Sequence, residues 1–353
     1  MSNRYIEIAG RKIGPDFPPY IIAELSANHN GSLEKALLSI EAAKAAGADA
    51  VKIQTYTADT ITIDCDTDDF MINDGGLWDG YSLHALYKQA ETPFEWHEAL
   101  FNKAREIGIT LFSSPFDFTA VDLLEKLNTP AYKIASFEIV DLPLIKRVAE
   151  TGKPMIISTG MANEEEIALA VRTARDNGCR ELCLLHCISS YPAPADQSNL
   201  RTINDLSQRF KVVAGLSDHS EGTVVSVAAV TLGAALIEKH FKLDDDEEGP
   251  DSSFSLTDKQ VKTLCDDTKI AWLALGTASY ERKPAEELNI KFRRSLYFVE
   301  DIAKGEMITE SNMRSIRPGF GIEPKYYDEI IGKIAVQDIK RGTPVHKKHV
   351  VQE

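Results

Sequence analysis

The feature that most constrains this chain is an alternation. Eight short apolar runs occupy residues 20–24, 50–54, 110–114, 131–134, 155–158, 182–186, 212–216 and 235–240. Helical patterns lie between most of them, at 32–47, 93–108, 118–127, 142–151, 164–177 and 222–233. Strands that alternate with helices form parallel sheets, and eight is the number that closes a (β/α)8 barrel. An open doubly wound sheet is the alternative, but it usually has fewer strands and a Gly-rich first turn. Local signals agree with the barrel. Ser32 stands where a helix N-cap belongs, and Gly47 where a C-cap belongs.

In a barrel, polar residues at strand C-terminal ends converge on the active site. Here all eight runs end in polar groups: Glu24; Lys52 and Gln54; Ser113 and Ser114; Lys133, leading to Ser136 and Glu138; Ser158 and Thr159; His186; Ser217, Asp218 and His219; and Glu238, Lys239 and His240. Lys52 and Lys133 stand out, because an unpaired ammonium inside an apolar strand costs several kcal/mol. One reading is a buried salt bridge to Glu24 or Glu238. The other is a pair of cations cradling a phosphate or carboxylate, with Ser114, Ser136, Ser158 and Ser217 donating hydrogen bonds. A Schiff base on one lysine is a third.

His219 and His240 end adjacent strands. A single strand-end histidine is usually a hydrogen-bonded structural residue. Two on neighbouring strands, with Asp218, Glu24 and Asp251 at hand, favour a divalent ion such as Mn2+, Fe2+ or Zn2+. His29 reads as a loop-ordering residue first and a ligand second. An anion cradle beside a metal suits an aldol-like condensation.

Residues 56–92 form a long, Asp- and Gly-rich stretch after the second run, with Trp78, Tyr81 and Tyr87. It reads as a βα insertion over the barrel mouth, because long loops in compact domains usually carry function or move. The expected domains are a barrel over 1–280, a linker over 281–290 and a small β-rich domain over 291–353. The last contains an internal echo, Asp301-Ile302-Ala303-Lys304-Gly305 and Asp338-Ile339-Lys340-Arg341-Gly342, which suggests two related halves.

Composition narrows the function. The 353 residues carry a net charge of −15 and no basic stripe, so nucleic acid is not an expected partner. No apolar stretch reaches membrane-spanning length, and the N-terminus lacks a signal-peptide pattern, so a soluble cytoplasmic protein is expected. Five cysteines without a CxxC pair read as reduced, buried thiols rather than a metal site.

Seven motifs then carry a resemblance: Ala23-Glu24-Leu25-Ser26-Ala27-Asn28-His29-Asn30-Gly31, Val51-Lys52-Ile53-Gln54-Thr55, Ser114-Pro115-Phe116-Asp117, Tyr132-Lys133-Ile134-Ala135-Ser136, Ser158-Thr159-Gly160-Met161, Gly215-Leu216-Ser217-Asp218-His219 and Ile237-Glu238-Lys239-His240-Phe241. In this order they resemble the sialic acid synthase family. The tail, with Arg293-Arg294-Ser295 and Arg317-Pro318-Gly319, is similar to its antifreeze-like (SAF) domain. Within the family the insert, from Thr55-Tyr56-Thr57 through Leu77-Trp78 to Thr92-Pro93-Phe94, resembles that of pseudaminic acid synthases.

The resemblance implies a (β/α)8 barrel followed by a SAF domain. It implies condensation of phosphoenolpyruvate with an amino-sugar aldehyde, here a 6-deoxy-diacetamido-hexose. His219 and His240 would bind Mn2+, with Mg2+ or Co2+ as substitutes. Lys52, Ser114, Lys133, Ser136, Ser158, Ser189 and Ser217 would hold phosphoenolpyruvate. Glu24, Gln54, Glu138, Tyr191 and Asp251 would face the sugar, and Glu24, Lys52, Lys133 and Asp251 would carry the chemistry. Arg317 would reach the acceptor from a partner subunit in a domain-swapped homodimer. The sixth loop departs from the sialic acid synthases: Ser189 stands where they resemble one another in having Asn, which favours a non-sialic acceptor. A sialic or legionaminic acid synthase and a catalytically silent sugar-binding scaffold are the competing readings.

Overall fold

A computed structural model describes residues 5–73, 75–243 and 249–350. Eight parallel strands form a closed ring: β1 (Tyr20–Glu24), β2 (Ala50–Thr55), β3 (Thr110–Pro115), β4 (Tyr132–Ile134), β5 (Met155–Ser158), β6 (Leu182–Cys187), β7 (Val213–Asp218) and β8 (Leu236–Lys242). Each pairs with the next, and β8 pairs with β1, Leu236 beside Tyr20 and His240 beside Glu24. The fold is the expected (β/α)8 barrel.

Several helices form where the sequence carries their caps. Leu33–Ala46 starts on Ser32, whose side chain accepts from the Lys35 amide at 3.3 Å, and stops at Gly47 with φ of 94°. Only a residue without a Cβ adopts that left-handed angle cheaply. His97–Ile107, Phe118–Lys126, Leu142–Ala149, Glu164–Asp176 and Val224–Thr231 lie inside the expected ranges. Thr202–Phe210 and Asp258–Leu275 are further helices.

The strands look uniformly apolar in sequence, yet their side chains divide by period two. Outward residues such as Ile21, Ala23, Val51, Ile53, Leu184 and Leu216 pack beneath the helices. Inward residues Tyr20, Ile22, Phe112, Ile156, Leu185 and Leu236 fill the N-terminal half of the barrel. A short hairpin, Ile6–Ile8 paired with Arg11–Ile13, plugs that end with Ile6, Ile8 and Ile13. The lower barrel is therefore a closed apolar core, and polar inward residues appear only above it.

The chain divides into two compact units, Met1–Gly276 and Thr277–Glu353. The second has its own core, including Leu296, Phe298, Ile308, Met313 and Val345. Its internal echo is structural. Ile302 and Ile339 exchange backbone hydrogen bonds of 2.8 Å in both directions. Asp301 accepts from the Arg341 amide and Asp338 from the Lys304 amide, each at 2.8 Å. The two copies therefore clasp each other.

Candidate active site

The site begins with the inward positions of the strand ends. On β2 these are Lys52 and Gln54, on β1 Glu24, on β4 Lys133, on β5 Ser158, on β7 Ser217, and on β8 Glu238 and His240. All of these line a cavity of about 480 Å³, together with Ser136, Glu138, Tyr191, His219 and Asp251. The ammonium and imidazole groups thus share one opening of the barrel.

The neighbouring positions point the other way, and this corrects the view that every polar strand end serves the site. Asp218 turns away from the mouth, accepts from Ser226 at 2.5 Å and pairs with Lys239 at 3.0 Å. It is not available to a metal at His219. Ser113 bonds Thr55 at 2.6 Å, and His186 reaches the Ser198 carbonyl at 2.6 Å. The pleat separates the two sets: alternate residues face opposite sides of a strand.

Lys52 and Lys133 are both buried and both paired. Lys52 Nζ lies 2.8 Å from Glu24, 3.6 Å from Glu238 and 3.2 Å from Ser114 Oγ. Lys133 Nζ lies 3.3 Å from the same Glu238 oxygen, to which Ser217 donates at 3.3 Å. The salt-bridge and cradle readings are therefore compatible, because the paired lysines line the cavity. Burial works against charge on Lys52, but Glu238 and Glu24 outweigh it and raise its pKa. For Lys133 burial prevails over Glu238, and with Lys52 nearby the pKa falls. Glu238 stays ionised between the two cations, which overcome its burial. Glu24 is more easily protonated, because burial outweighs its pairing with Lys52.

Ser158 Oγ and one carboxyl oxygen each of Glu138 and Glu238 are buried without a hydrogen-bond partner. Buried polar atoms are normally satisfied, so these mark places for a polar ligand. Burial lifts the Glu138 carboxyl to about 7. Gln54 donates to Ser26 at 2.9 Å and to Glu24 at 3.2 Å, which fixes its amide. Ser136 Oγ sits 3.4 Å from Cys187 Sγ, and Ser189 Oγ 3.8 Å from the same sulfur. Gly160 makes room for both: a Cβ there would lie 2.2 Å from Ser189 Oγ and 2.8 Å from Ser136 Oγ. Ser114 is buried 3.2 Å from Lys52 Nζ, and Ser189 is half-buried beside Gly160.

The rings of His219 and His240 are 5.3 Å apart. His219 Nδ1 lies 3.0 Å from the Ile188 carbonyl. A carbonyl only accepts, so Nδ1 carries a proton. Burial opposes charge on the ring, but contact with Cys187 outweighs it and raises the pKa. On deprotonation the lone pair falls on Nε2, where a metal ligand needs it. Burial, then His219 and Lys52, hold His240 neutral, and its Nδ1 is buried without a hydrogen bond. Asp251 lies 3.8 Å from that nitrogen and accepts from the Ala27 amide at 3.2 Å. Among the described residues no cluster of three or more His, Cys, Asp and Glu side chains is poised to hold an ion. The donor set fits a divalent ion held by two imidazoles and completed by substrate or water. His29 is an ordering residue: its Nδ1 accepts from the Gly31 amide at 3.1 Å and its ring meets Trp96 edge-on at 5.5 Å.

The five cysteines are free; Cys179, Cys183 and Cys187 are buried, while Cys65 and Cys265 are only partly so. Arg317 is exposed on the second unit. Among the described residues no helix is long and apolar enough to cross a membrane.

Sequence reasoning placed the insert over the mouth but did not read its contribution to the cavity. Ile61, Ile72, Leu83, Leu86 and Tyr87 line it. The available signal was Leu83, Leu86, Tyr87 and Ala90 at helical spacing.

Comparison with known proteins agrees with this architecture. Residues 39–280 match the NeuB family and residues 293–351 the SAF domain. A pseudaminic acid synthase of Campylobacter jejuni is 48% identical over 92% of this chain and 94% of its own length. One from Helicobacter pylori is 45% identical over 93% and 96%. Among solved structures, the spore coat polysaccharide biosynthesis protein spsE of Bacillus subtilis superimposes with a TM-score of 0.67 at 35% identity, covering 99% of both chains. The N-acetylneuraminic acid synthetase of Leptospira borgpetersenii gives 0.72 at 31% identity over 81% of this chain and 95% of its own. With its barrel, its tail and most of its length matched in this way, the chain belongs to the NeuB family.

Proposed function

We propose that this chain is a pseudaminic acid synthase. It condenses phosphoenolpyruvate with the open-chain aldehyde of 2,4-diacetamido-2,4,6-trideoxy-L-altrose. A water molecule adds, and phosphate leaves by C–O cleavage to give a nonulosonic acid. The observation that carries this reading is the convergence of Lys52, Lys133, His219 and His240 on one cavity. The 45–48% identity to pseudaminic acid synthases supports the choice of acceptor.

In this proposal Lys52, Lys133, Ser136, Ser158 and Ser217 hold the phosphate and carboxylate of phosphoenolpyruvate, with Ser114 steadying Lys52 and Ser189 backing the pocket. Two fixed ammonium groups in a water-poor site stabilise anionic charge without reorganising. Gln54, Glu138, Tyr191 and Asp251 orient the aldehyde so that C3 of phosphoenolpyruvate attacks its carbonyl carbon. Positive charge then develops at C2 beside Glu24. Water adds there, and the tetrahedral carbon expels phosphate. A divalent ion, Mn2+ for preference, held by His219 and His240, would polarise the aldehyde oxygen. The proposal includes a cytoplasmic setting and a homodimer in which the tail of one protomer brings Arg317 to the acceptor bound in its partner.

Mass spectrometry of the product, with phosphate release, across a panel of diacetamido sugars and N-acetylmannosamine tests the reading. The L-altro sugar should be the preferred acceptor. A preference for N-acetylmannosamine or for the legionaminic precursor would replace it with the corresponding synthase. Sugar binding without phosphate release would favour a scaffold.

A further inference from the structure

The cavity has two unlike surfaces. Its floor, the strand ends, is charged and polar. Its roof comes from the insert and is apolar: Ile72, Trp78, Leu83, Leu86 and Tyr87 line it. The helix Leu83–Ala90 shows how the roof is made. Ser82 caps it, accepting from the Ala85 amide at 3.1 Å. Leu83, Leu86, Tyr87 and Ala90 then fall on one stripe of the helix, and all four line the cavity. Leu86 is buried, whereas Leu83 and Tyr87 are only half-buried. Such a stripe normally meets a core, but part of this one meets an opening. The same insert carries Asp64, Asp66, Asp68 and Asp69 on exposed positions and leaves Ile63 and Leu77 exposed, while Ile72, Leu83, Leu86 and Tyr87 line the cavity.

The roof is also fixed in place. Trp78 Nε1 donates to the Pro250 carbonyl at 3.2 Å, next to Asp251. Its ring lies 5.8 Å from Tyr191, whose ring is 4.3 Å from His219.

We propose that this roof is a subsite for the distal, methyl-bearing end of the acceptor: the deoxy C6 methyl and the N-acyl group on C4. The inference rests on the synthase reading above. The aldehyde carbon must meet phosphoenolpyruvate at the polar floor, so the far end of the six-carbon chain projects toward the insert. Ile72 and Leu83 there gain from a methyl group and offer no partner to a hydroxyl or an ammonium. Leu83 and Ile72 are thus specificity-determining residues.

The test compares kcat/KM for the 2,4-diacetamido-2,4,6-trideoxy acceptor with that for N-acetylmannosamine, which bears hydroxyls at C4 and C6. A methyl-sized difference in an apolar pocket discriminates by roughly 10- to 200-fold. The wild-type ratio should fall in or above that range. Leu83→Ser should narrow it by about tenfold, through the KM of the methyl-bearing acceptor, while Leu83→Met retains it. Ile72→Ser repeats the test should Leu83→Ser not fold. Equal losses on both acceptors in the serine variants, leaving the ratio unchanged, would overturn the subsite and leave the synthase reading standing. No phosphate release from either acceptor with the metal-loaded wild type would overturn both.

Discussion

The two ends of this barrel are made by the same strands and obey opposite rules. At the N-terminal end the inward side chains are Tyr20, Ile22, Phe112, Ile156 and Leu236, sealed by a hairpin. At the C-terminal end the same strands turn Glu24, Lys52, Ser114, Ser158 and Glu238 inward. Moving one pleat repeat along a strand, from Leu236 to Glu238, crosses from a packed core to a cluster of buried charges. Stability should therefore reside at one end and chemistry at the other.

The largest expected effect lies at the mouth. Lys52→Met should cut phosphate release by at least about 10²–10³-fold, the scale of losing a preorganised charge contact. It also strands Glu24, and removing one partner of a buried ion pair costs about 3–5 kcal/mol. Lys52→Met/Glu24→Gln should recover the melting temperature but not turnover. Recovery of both would erase the distinction between the two ends. At the base, Phe112→Ala should cost about 3–5 kcal/mol in denaturant unfolding. Its KM values should remain near wild type once the protein is folded.

A smaller effect is expected at the root of the insert. His97 Nδ1 donates to the Pro93 carbonyl at 3.1 Å, so Nε2 accepts from Thr55 at 2.8 Å. This clip joins the residue before the insert to the one after it. Burial, against weaker hydrogen bonds to the backbone, depresses the imidazole to about 4. The unfolded chain therefore takes up the proton first as pH falls. Stability present above about pH 6.5 should decline by about 3 kcal/mol by pH 4. His97→Gln should flatten that part of the stability profile; an unchanged slope would remove the clip.

The smallest expected effect is kinetic. Glu138, lifted by burial to about 7, is protonated below that pH and ionised above it. If its carboxylate accepts from acceptor hydroxyls, the acceptor KM should fall as pH rises from 6 to 8. Glu138→Gln should abolish that trend.

Much of this was legible in the sequence, for identifiable reasons. Ser32 and Gly47 announce a helix because caps are local chemistry. Lys52 and Lys133 announce a site because a charge inside an apolar strand needs a partner, though their shared partner Glu238 was visible only as one of two candidates. The orientation of strand-end residues was harder. Asp218 and Ser217 look equally available in a list of polar endings, and only the pleat sends one to the cavity and the other to Lys239. The roof was hidden because Leu83, Leu86 and Tyr87 read like any amphipathic stripe. What such a stripe faces is a tertiary fact.

The reciprocal clasp in the second unit has a consequence for how that unit can come apart. Asp301 holds the turn of the later copy and Asp338 that of the earlier one, and Ile302 and Ile339 share their hydrogen bonds. Each copy closes its own turn, the Glu306 amide on the Ala303 carbonyl and the Thr343 amide on the Lys340 carbonyl, but each turn is tied down by the aspartate of the other. A chain truncated between them would not leave a smaller stable module, so the tail should melt in one step, as a knot of two loops that loosens only as a whole.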